Sequence, residues 1–362
     1  MRRIFFLLVF LLAALPAGAK KIVFVAGAAS HGYGEHEFPA GGALLADALR
    51  SAGLGIEVDL HTGGWPEEPG VLDGADAIVV FADGGDGHPI RAHRAEVAGR
   101  MADGAGLVLL HYALEVPVGP DAQALQRWVG GFYEAGWSTN PHWRAAVSVA
   151  DHPIGRGVKP FEVLDEWYFH IRFRDEAAVT PVLTAVPDDV ARSSGTWPPG
   201  PYEHVTKAAG RRETLLWALE REDGGRGVGF TGGHFHWNWG NDDYRTLVLN
   251  ALVWAAGGEV PARGVPSSAQ GMVDLEAFEP ASAWKSLDRW LRFDRDETAR
   301  EFGLDGPRAT SRRRLRAGPA AVRLSLRASA GGRSRSCGTA PSSACRSSGL
   351  RTVFSAPRRV AR

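Results

Sequence analysis

Three runs in the first third of the chain, residues 22–26, 75–81 and 106–110, are apolar at nearly every position and rich in β-branched residues. A strand with one face in water alternates apolar and polar residues; these do not, so both of their faces need cover. Helical spacing lies between them. Leu44, Leu45, Ala48 and Leu49 mark a helix over 38–52 stopped by Gly53, and further helices are expected over 90–101 and 121–129. Residues 56–60 and 143–149 read as additional strands. This alternation predicts an α/β fold, a mostly parallel sheet with helices on both faces. Residues 151–225 are looser and proline-rich, with β excursions expected at 163–173, 179–186 and 213–219. A buried strand over 226–231 and a closing amphipathic helix over 242–256 follow, then an exit linker over 259–268. Sheets of this kind hold ligands beyond the carboxyl ends of their strands, and that rule selects among the histidines.

The ends of the chain read differently. A basic Met1-Arg2-Arg3, an apolar run over 4–16 and the small-residue site Ala17-Gly18-Ala19 make residues 1–19 a signal peptide. The apolar run is too short to span a bilayer, so no stable membrane span is expected after cleavage, and the mature protein is expected to be secreted or periplasmic. A domain over 20–268 is followed by a partial segment over 269–307. The tail over 308–362 holds 14 of the 41 basic residues, both cysteines and no acidic residue, and reads as disordered or frame-shifted. The rest therefore carries 27 basic against 41 acidic residues, which argues against nucleic acid as a partner. With no cysteine in the body, disulfides and thiol nucleophiles are excluded there.

Four constellations carry chemistry. His31-Gly32-Tyr33-Gly34-Glu35-His36 follows the first strand; an imidazole beside a carboxylate is an acid/base pair, and the competing reading is helix capping. His111-Tyr112 ends the fourth strand, at a turn expected to present its residue to solvent. Histidine there supports a general base or a ligand rather than a serine or cysteine nucleophile, and the competing reading is a satisfied core histidine. In Asp165-Glu166-Trp167-Tyr168-Phe169-His170, strand alternation would put Glu166, Tyr168 and His170 on one side, with Glu166 as an acid or a salt-bridged residue. Last comes His234-Phe235-His236-Trp237-Asn238-Trp239-Gly240-Asn241. Its imidazoles, carboxamides and indoles suit a polar ring-shaped ligand, and the competing reading is a tryptophan-rich core corner. His234 and His236, two apart on an extended segment, could also share a divalent metal with His31, His36 or His111. No cofactor is otherwise called for: Gly27-Ala28-Ala29-Ser30 lacks the features of a nucleotide loop.

Taken together, His31, Glu35-His36, His111, His152-Pro153, Asp165-Glu166-Trp167-Tyr168 and Gly233-His234 resemble the ThuA-like, trehalose-utilisation family. The resemblance covers residues 20–268. The variant ending His236-Trp237-Asn238-Trp239-Gly240-Asn241 looks like an exported subgroup. The resemblance implies a flavodoxin-like, class I glutamine amidotransferase-like fold. His111 stands where true amidotransferases carry their cysteine, so glutamine hydrolysis is not expected. It also implies a place in disaccharide catabolism, through 3-keto-glycosides.

The expected protein is an exported, carbohydrate-active one acting on a small sugar by acid/base chemistry. His36 or His111 would be the base, Glu166 the acid, and His234 with His236 the oxyanion donors or metal ligands. Trp237 and Trp239 would stack on the sugar, with His31, Glu35, Tyr112, Tyr168, Asn238 and Asn241 lining the site. The alternatives are a non-catalytic sugar-binding module and a metal-dependent hydrolase.

Overall fold

The computed structural model describes residues 19–32, 34–175, 178–194 and 200–268. Residues 1–18 of the signal peptide expected over 1–19, the segment after 268 and the arginine-rich tail lie outside the described residues.

The apolar runs become β1 (Lys20–Ala26), β3 (Ala77–Phe81) and β4 (Gly106–Leu110), with β2 (Ile56–Thr62) beside β1. Helices α1 (Phe38–Ser51), α2 (Ile90–Ala102) and α3 (Pro120–Trp128) are interleaved with them. Next come β5 (Gly131–Phe132) and, in place of the single strand expected over 143–149, β6 (His142–Ala146) and β7 (Ser148–Val149); the looser region supplies β8 (Glu162–Glu166), β9 (Arg172–Phe173) and β10 (Thr180–Ala185). Short helices α4 (Asp189–Ser193) and α5 (Glu203–Thr206), then β11 (Glu213–Glu220), β12 (Arg226–Phe230) and α6 (Asp242–Ala255), complete it.

The eight-stranded sheet has the order β2-β1-β3-β4-β12-β11-β10-β7. Its first five strands are parallel, in the flavodoxin-like order that reverses between β1 and β3. The last three run antiparallel to their neighbours, which extends the sheet beyond the parallel core. Alternate residues of each parallel strand feed opposite faces. Phe24, Val79, Val108 and Val228 pack with α1 and α6, while Val23, Ile78, Leu107 and Leu109 pack with α2 and α3. Two buried faces account for the unbroken apolar runs. Among the described residues no helix is long and apolar enough to cross a membrane.

The expected strand over 163–173 is two pieces. β8 pairs with β6 in a separate two-stranded sheet and ends at Glu166; β9 pairs with β5. The alternation that would have aligned Glu166, Tyr168 and His170 therefore stops at Glu166. His170 turns away, with φ 59°, to pack on Trp137 and His204 and to take a hydrogen bond from Arg211 at 3.0 Å.

Candidate active site

The carboxyl edge of the parallel sheet gathers histidines from three strands. His31 and His36 follow β1, His111 follows β4 and His234 follows β12, while Glu166 enters at the end of β8. Four non-glycine residues have positive φ among the described residues, and all are histidines: His31 (65°), His36 (48°), His111 (56°) and His170 (59°). L-residues pay for this conformation, so the folded structure must hold these turns in place. Close approach does part of this. Gly233, at φ 117°, lies where a Cβ would be 3.3 Å from the His111 Cβ, and a Cβ on Gly232 would press into Trp167 and the Tyr244 hydroxyl at 2.6 and 2.7 Å.

The side chains converge on one point. His36 Nε2 is 3.0 Å from His111 Nε2, which is 3.3 Å from His234 Nδ1 and 3.3 Å from Glu166 Oε2. His234 Nδ1 is 3.1 Å from the same Glu166 oxygen, and the Tyr168 hydroxyl is 3.3 Å from His111 Nε2. The three histidines are buried, at 1%, 0% and 2% exposure. His111 is thus not presented to solvent as its turn suggested; the loop after β12 covers it. The more exposed groups around it are Glu166, whose side chain is 13% exposed, and the rim histidines His31 and His142.

The outer nitrogens decide what faces inward. His111 Nδ1 meets the Thr231 carbonyl at 3.0 Å, and a carbonyl only accepts, so that nitrogen carries the proton. His36 Nδ1 faces Ser30 Oγ at 3.1 Å and Asp83 Oδ1 at 3.3 Å. Ser30 Oγ donates its own proton to Asp83 at 2.7 Å, so His36 Nδ1 is also a donor. Both Nε2 atoms therefore point bare lone pairs at each other. Burial, helped by His234, His111 and His31, drives the His36 pKa well below its ordinary value. One lone pair on His111 Nε2 cannot serve four polar neighbours within 3.3 Å.

A divalent cation would serve them. Tetrahedral zinc with nitrogen bonds of about 2.0–2.1 Å sets its ligand atoms roughly 3.3 Å apart. The contacts here are 3.0, 3.1, 3.3 and 3.3 Å, and the donor atoms of His36, His111, Glu166 and His234 all lie within 4.8 Å of one another. Three neutral imidazoles and a carboxylate are a donor set for a first-row transition metal. His31, His36 and Asp83 form a second such group, but the Ser30 hydroxyl sits among them, 2.9 Å from His31 Nδ1, and hydrogen bonds already join its members.

Without a cation, His234 and Glu166 form an ion pair. Burial opposes the imidazolium, yet Glu166, with Glu35 and Asp165, raises the His234 pKa. Burial likewise opposes the carboxylate, while His234 holds Glu166 well below the usual carboxylate range. Burial beside Glu166 keeps the Tyr168 hydroxyl protonated far into alkali. Burial and Glu115 push Tyr112 up to about 12.

The remaining sequence-selected residues are placed as follows. The His31 ring lies 3.7 Å from that of His36, tilted by 52°, and Tyr112 lies 5.6 Å from His36, both at the rim. Glu35 is buried, and its Oε2 accepts from the Gly32 amide at 3.0 Å, bracing its own loop. His236 does not join His234 at the centre. The chain enters a 3-10 turn there, the His236 amide donates to Gly34, and its ring packs on Trp237. The metal pair expected from their two-residue spacing is thus replaced by His234 with partners from other strands.

Trp237 and Trp239 offer no open stacking faces. Trp239 is fully buried against Phe81 and Tyr244, and Gly41 of α1 makes room for it: a Cβ there would be 3.1 Å from the indole nitrogen. Trp237 is 2% exposed and packs on Gly34. Asn241 caps α6 by accepting from the Tyr244 amide, and buried Asn238 donates to the Leu164 carbonyl. The tryptophan-rich core corner is the better description of this stretch.

Sequence reasoning gave no role to Ser30, Asp83, Asn140, His142 or Asp165. Asp83 follows β3, so the strand-end rule that selects His111 also selects it. Asp165 is fully buried and accepts from the amides of Gly233, His234 and Phe235 and from the Tyr244 hydroxyl, which shapes the loop carrying His234. Asn140 donates to Glu166 Oε1 at 3.1 Å, leaving Oε2 for the centre. His142 packs over His234 at 5.0 Å.

A family model described as ThuA, trehalose utilisation, matches residues 21–255. No curated protein matches the sequence. Among solved structures, a protein described as ThuA-like from Bacteroides uniformis is 16% identical, covering 68% of this chain and 95% of that one, with a TM-score of 0.48. A second so described, from Parabacteroides merdae, is also 16% identical, with 71% and 100% coverage and a TM-score of 0.48. A glutamine amidotransferase from Thermotoga maritima is 11% identical, with 66% and 97% coverage and a TM-score of 0.36.

Proposed function

This chain belongs to the ThuA, trehalose-utilisation family, and on that premise we propose that it is an exported enzyme of sugar utilisation whose reaction runs at a divalent cation held by His36, His111, His234 and Glu166. The observation that carries the reading is the pair of bare Nε2 atoms of His36 and His111, 3.0 Å apart. When bound, such a cation polarises a carbonyl or hydroxyl oxygen and acidifies a bound water.

The substrate class we infer is a 3-keto-glycoside. Its ring carbonyl acidifies the neighbouring C–H, and departure of the glycosidic oxygen then needs a base, an acid and a donor for the developing oxyanion. The Tyr168 hydroxyl, kept protonated by burial beside Glu166, is the donor. His31 and His142 stand at the rim, where burial lowers both pKa values and leaves neutral imidazoles able to take a proton. Asn140 holds Glu166 in place and does not react.

The test is a mass-spectrometric screen of glycosides and 3-keto-glycosides with protein purified without chelators, alongside metal analysis. The expected result is near-stoichiometric divalent metal, and turnover that chelation abolishes and metal restores. Binding without product would favour a sugar-binding module. Turnover by a metal-free protein would return the chemistry to the histidine and glutamate side chains alone.

A further inference from the structure

The centre can use only one nitrogen of His36, and the neighbouring loop decides which. We propose that Asp83, acting with Ser30, is a positioning pair that keeps the proton of His36 on Nδ1 and its bare Nε2 on the cation. This rests on the metal reading above.

The geometry is a closed set of hydrogen bonds. Ser30 Oγ donates to Asp83 Oδ1 at 2.7 Å, and both oxygens face His36 Nδ1, at 3.1 and 3.3 Å. His31 Nδ1 joins the same hydroxyl at 2.9 Å. A half-turn of the His36 ring would set carbon where each nitrogen now lies, removing the N–H that both oxygens face and presenting a C–H to the centre. The other tautomer would put a proton on Nε2. The pair therefore opposes both arrangements that cannot bind a cation. The Asp83 side chain is 42% exposed, while the ring it orients is buried.

The loop that carries Asp83 is itself fixed to the turn that carries His111. Gly85 donates its amide to the Glu115 carbonyl at 2.9 Å. A Cβ on Gly84 would lie 2.2 Å from the Tyr112 carbonyl oxygen and 2.7 Å from that of Glu115, so the contact requires glycine there. The orientation of one ligand is thereby referenced to the backbone of another. Carboxylate partners of metal-binding histidines typically change metal affinity 10–100-fold.

The experiment is a cobalt(II) titration of metal-stripped protein, followed by the visible absorbance of the bound ion. Asp83→Ala, Asp83→Asn and Ser30→Ala are compared with Asp86→Asn, which removes a carboxylate from the same loop. Asp83→Ala is expected to weaken cobalt binding roughly 10–100-fold and to alter the band shape. Asp83→Asn, which keeps an acceptor oxygen but no charge, should fall between it and the unaltered protein, and Asp86→Asn should titrate as the unaltered protein does. Thermal unfolding of the metal-free forms identifies any variant that fails to fold; if Asp83→Ala does, the other two carry the test. Normal cobalt affinity and an unchanged spectrum in the folded Asp83 and Ser30 variants would overturn this inference alone. No cobalt binding by the unaltered protein would overturn the metal reading and this inference with it.

Discussion

His36 Nε2 and His111 Nε2 face each other across 3.0 Å, while Nδ1 of each ring is committed to an oxygen acceptor, Asp83 with Ser30 on one side and Thr231 on the other. Two neutral imidazoles so arranged repel each other. The fold imposes that repulsion from separate strands, and a shared cation relieves it.

Metal binding should therefore stabilise the protein. At a hundredfold excess over Kd, a ligand confined to the folded state adds about 2.7 kcal/mol. For a domain of this size that raises the Tm by roughly 5–10 °C. Differential scanning fluorimetry with and without zinc, manganese and chelator measures it. Glu166→Gln and His111→Asn should lose most of the increment; retention of the full increment by both would place the ion elsewhere.

Asp165 should matter for stability well beyond its lack of direct chemistry. Its carboxylate takes four amides, those of Glu166, Gly233, His234 and Phe235, and the Tyr244 hydroxyl, fully buried. Asp165→Asn turns one acceptor oxygen into a donor amid donors, and should cost about 2–4 kcal/mol. Tyr244→Phe removes one bond to a charged group and should cost about 1.5–3 kcal/mol. Urea unfolding midpoints give both values.

Trp239 and Asn241 should behave as structural residues. Trp239→Ala is expected to cost about 3–5 kcal/mol, whereas Trp239→Phe should keep near-normal turnover in a less stable protein. Asn241→Ala removes the α6 cap at a cost of about 1 kcal/mol. A large rise in KM for a sugar in Trp239→Phe or Asn241→Ala would contradict this assignment.

Stability should depend on pH from two directions. Burial, with Glu166 nearby, pushes the Glu115 carboxyl up to about 7, so the folded state holds that proton more tightly than the unfolded chain. Its contribution therefore declines as pH rises from about 4.5 through 7. Glu115→Gln should gain on the unaltered protein by about 1–3 kcal/mol at pH 8, and not at pH 4.5. His88 acts oppositely: burial lowers it to about 4, and its ring bridges the Ala113 carbonyl and the Ile90 amide while neutral. Its contribution is present above about pH 6.5 and lost as pH falls through about 4. Tm profiles of the unaltered protein and Glu115→Gln between pH 4 and 9 check both slopes.

The parallel half of the sheet was legible because strands covered on both faces have no alternation to hide, as residues 22–26 and 106–110 demonstrate. The strand-end rule picked out His36 and His111, and applied with equal rigour after β3 it would have found Asp83. Glu166 was visible as a carboxylate but its neighbours were not. They depend on how the two-stranded β6–β8 sheet docks on the main sheet, and no local pattern encodes that. His236, Trp237 and Trp239 were misjudged because a loop's composition does not say which side chains turn inward. That choice rests on Gly34 and Gly41, far away in sequence, leaving space for the indoles.

The left-handed turns at His31, His36 and His111 change how loss-of-function substitutions must be read. Alanine at these sites would delete the imidazole yet keep a backbone that alanine tolerates no better, so a drop in stability could masquerade as a chemical defect. Glycine or asparagine suits such a backbone, and a glycine variant at exposed His31 should melt higher than its alanine counterpart. Comparing the two at each position separates what the imidazole does from what the chain spends to present it.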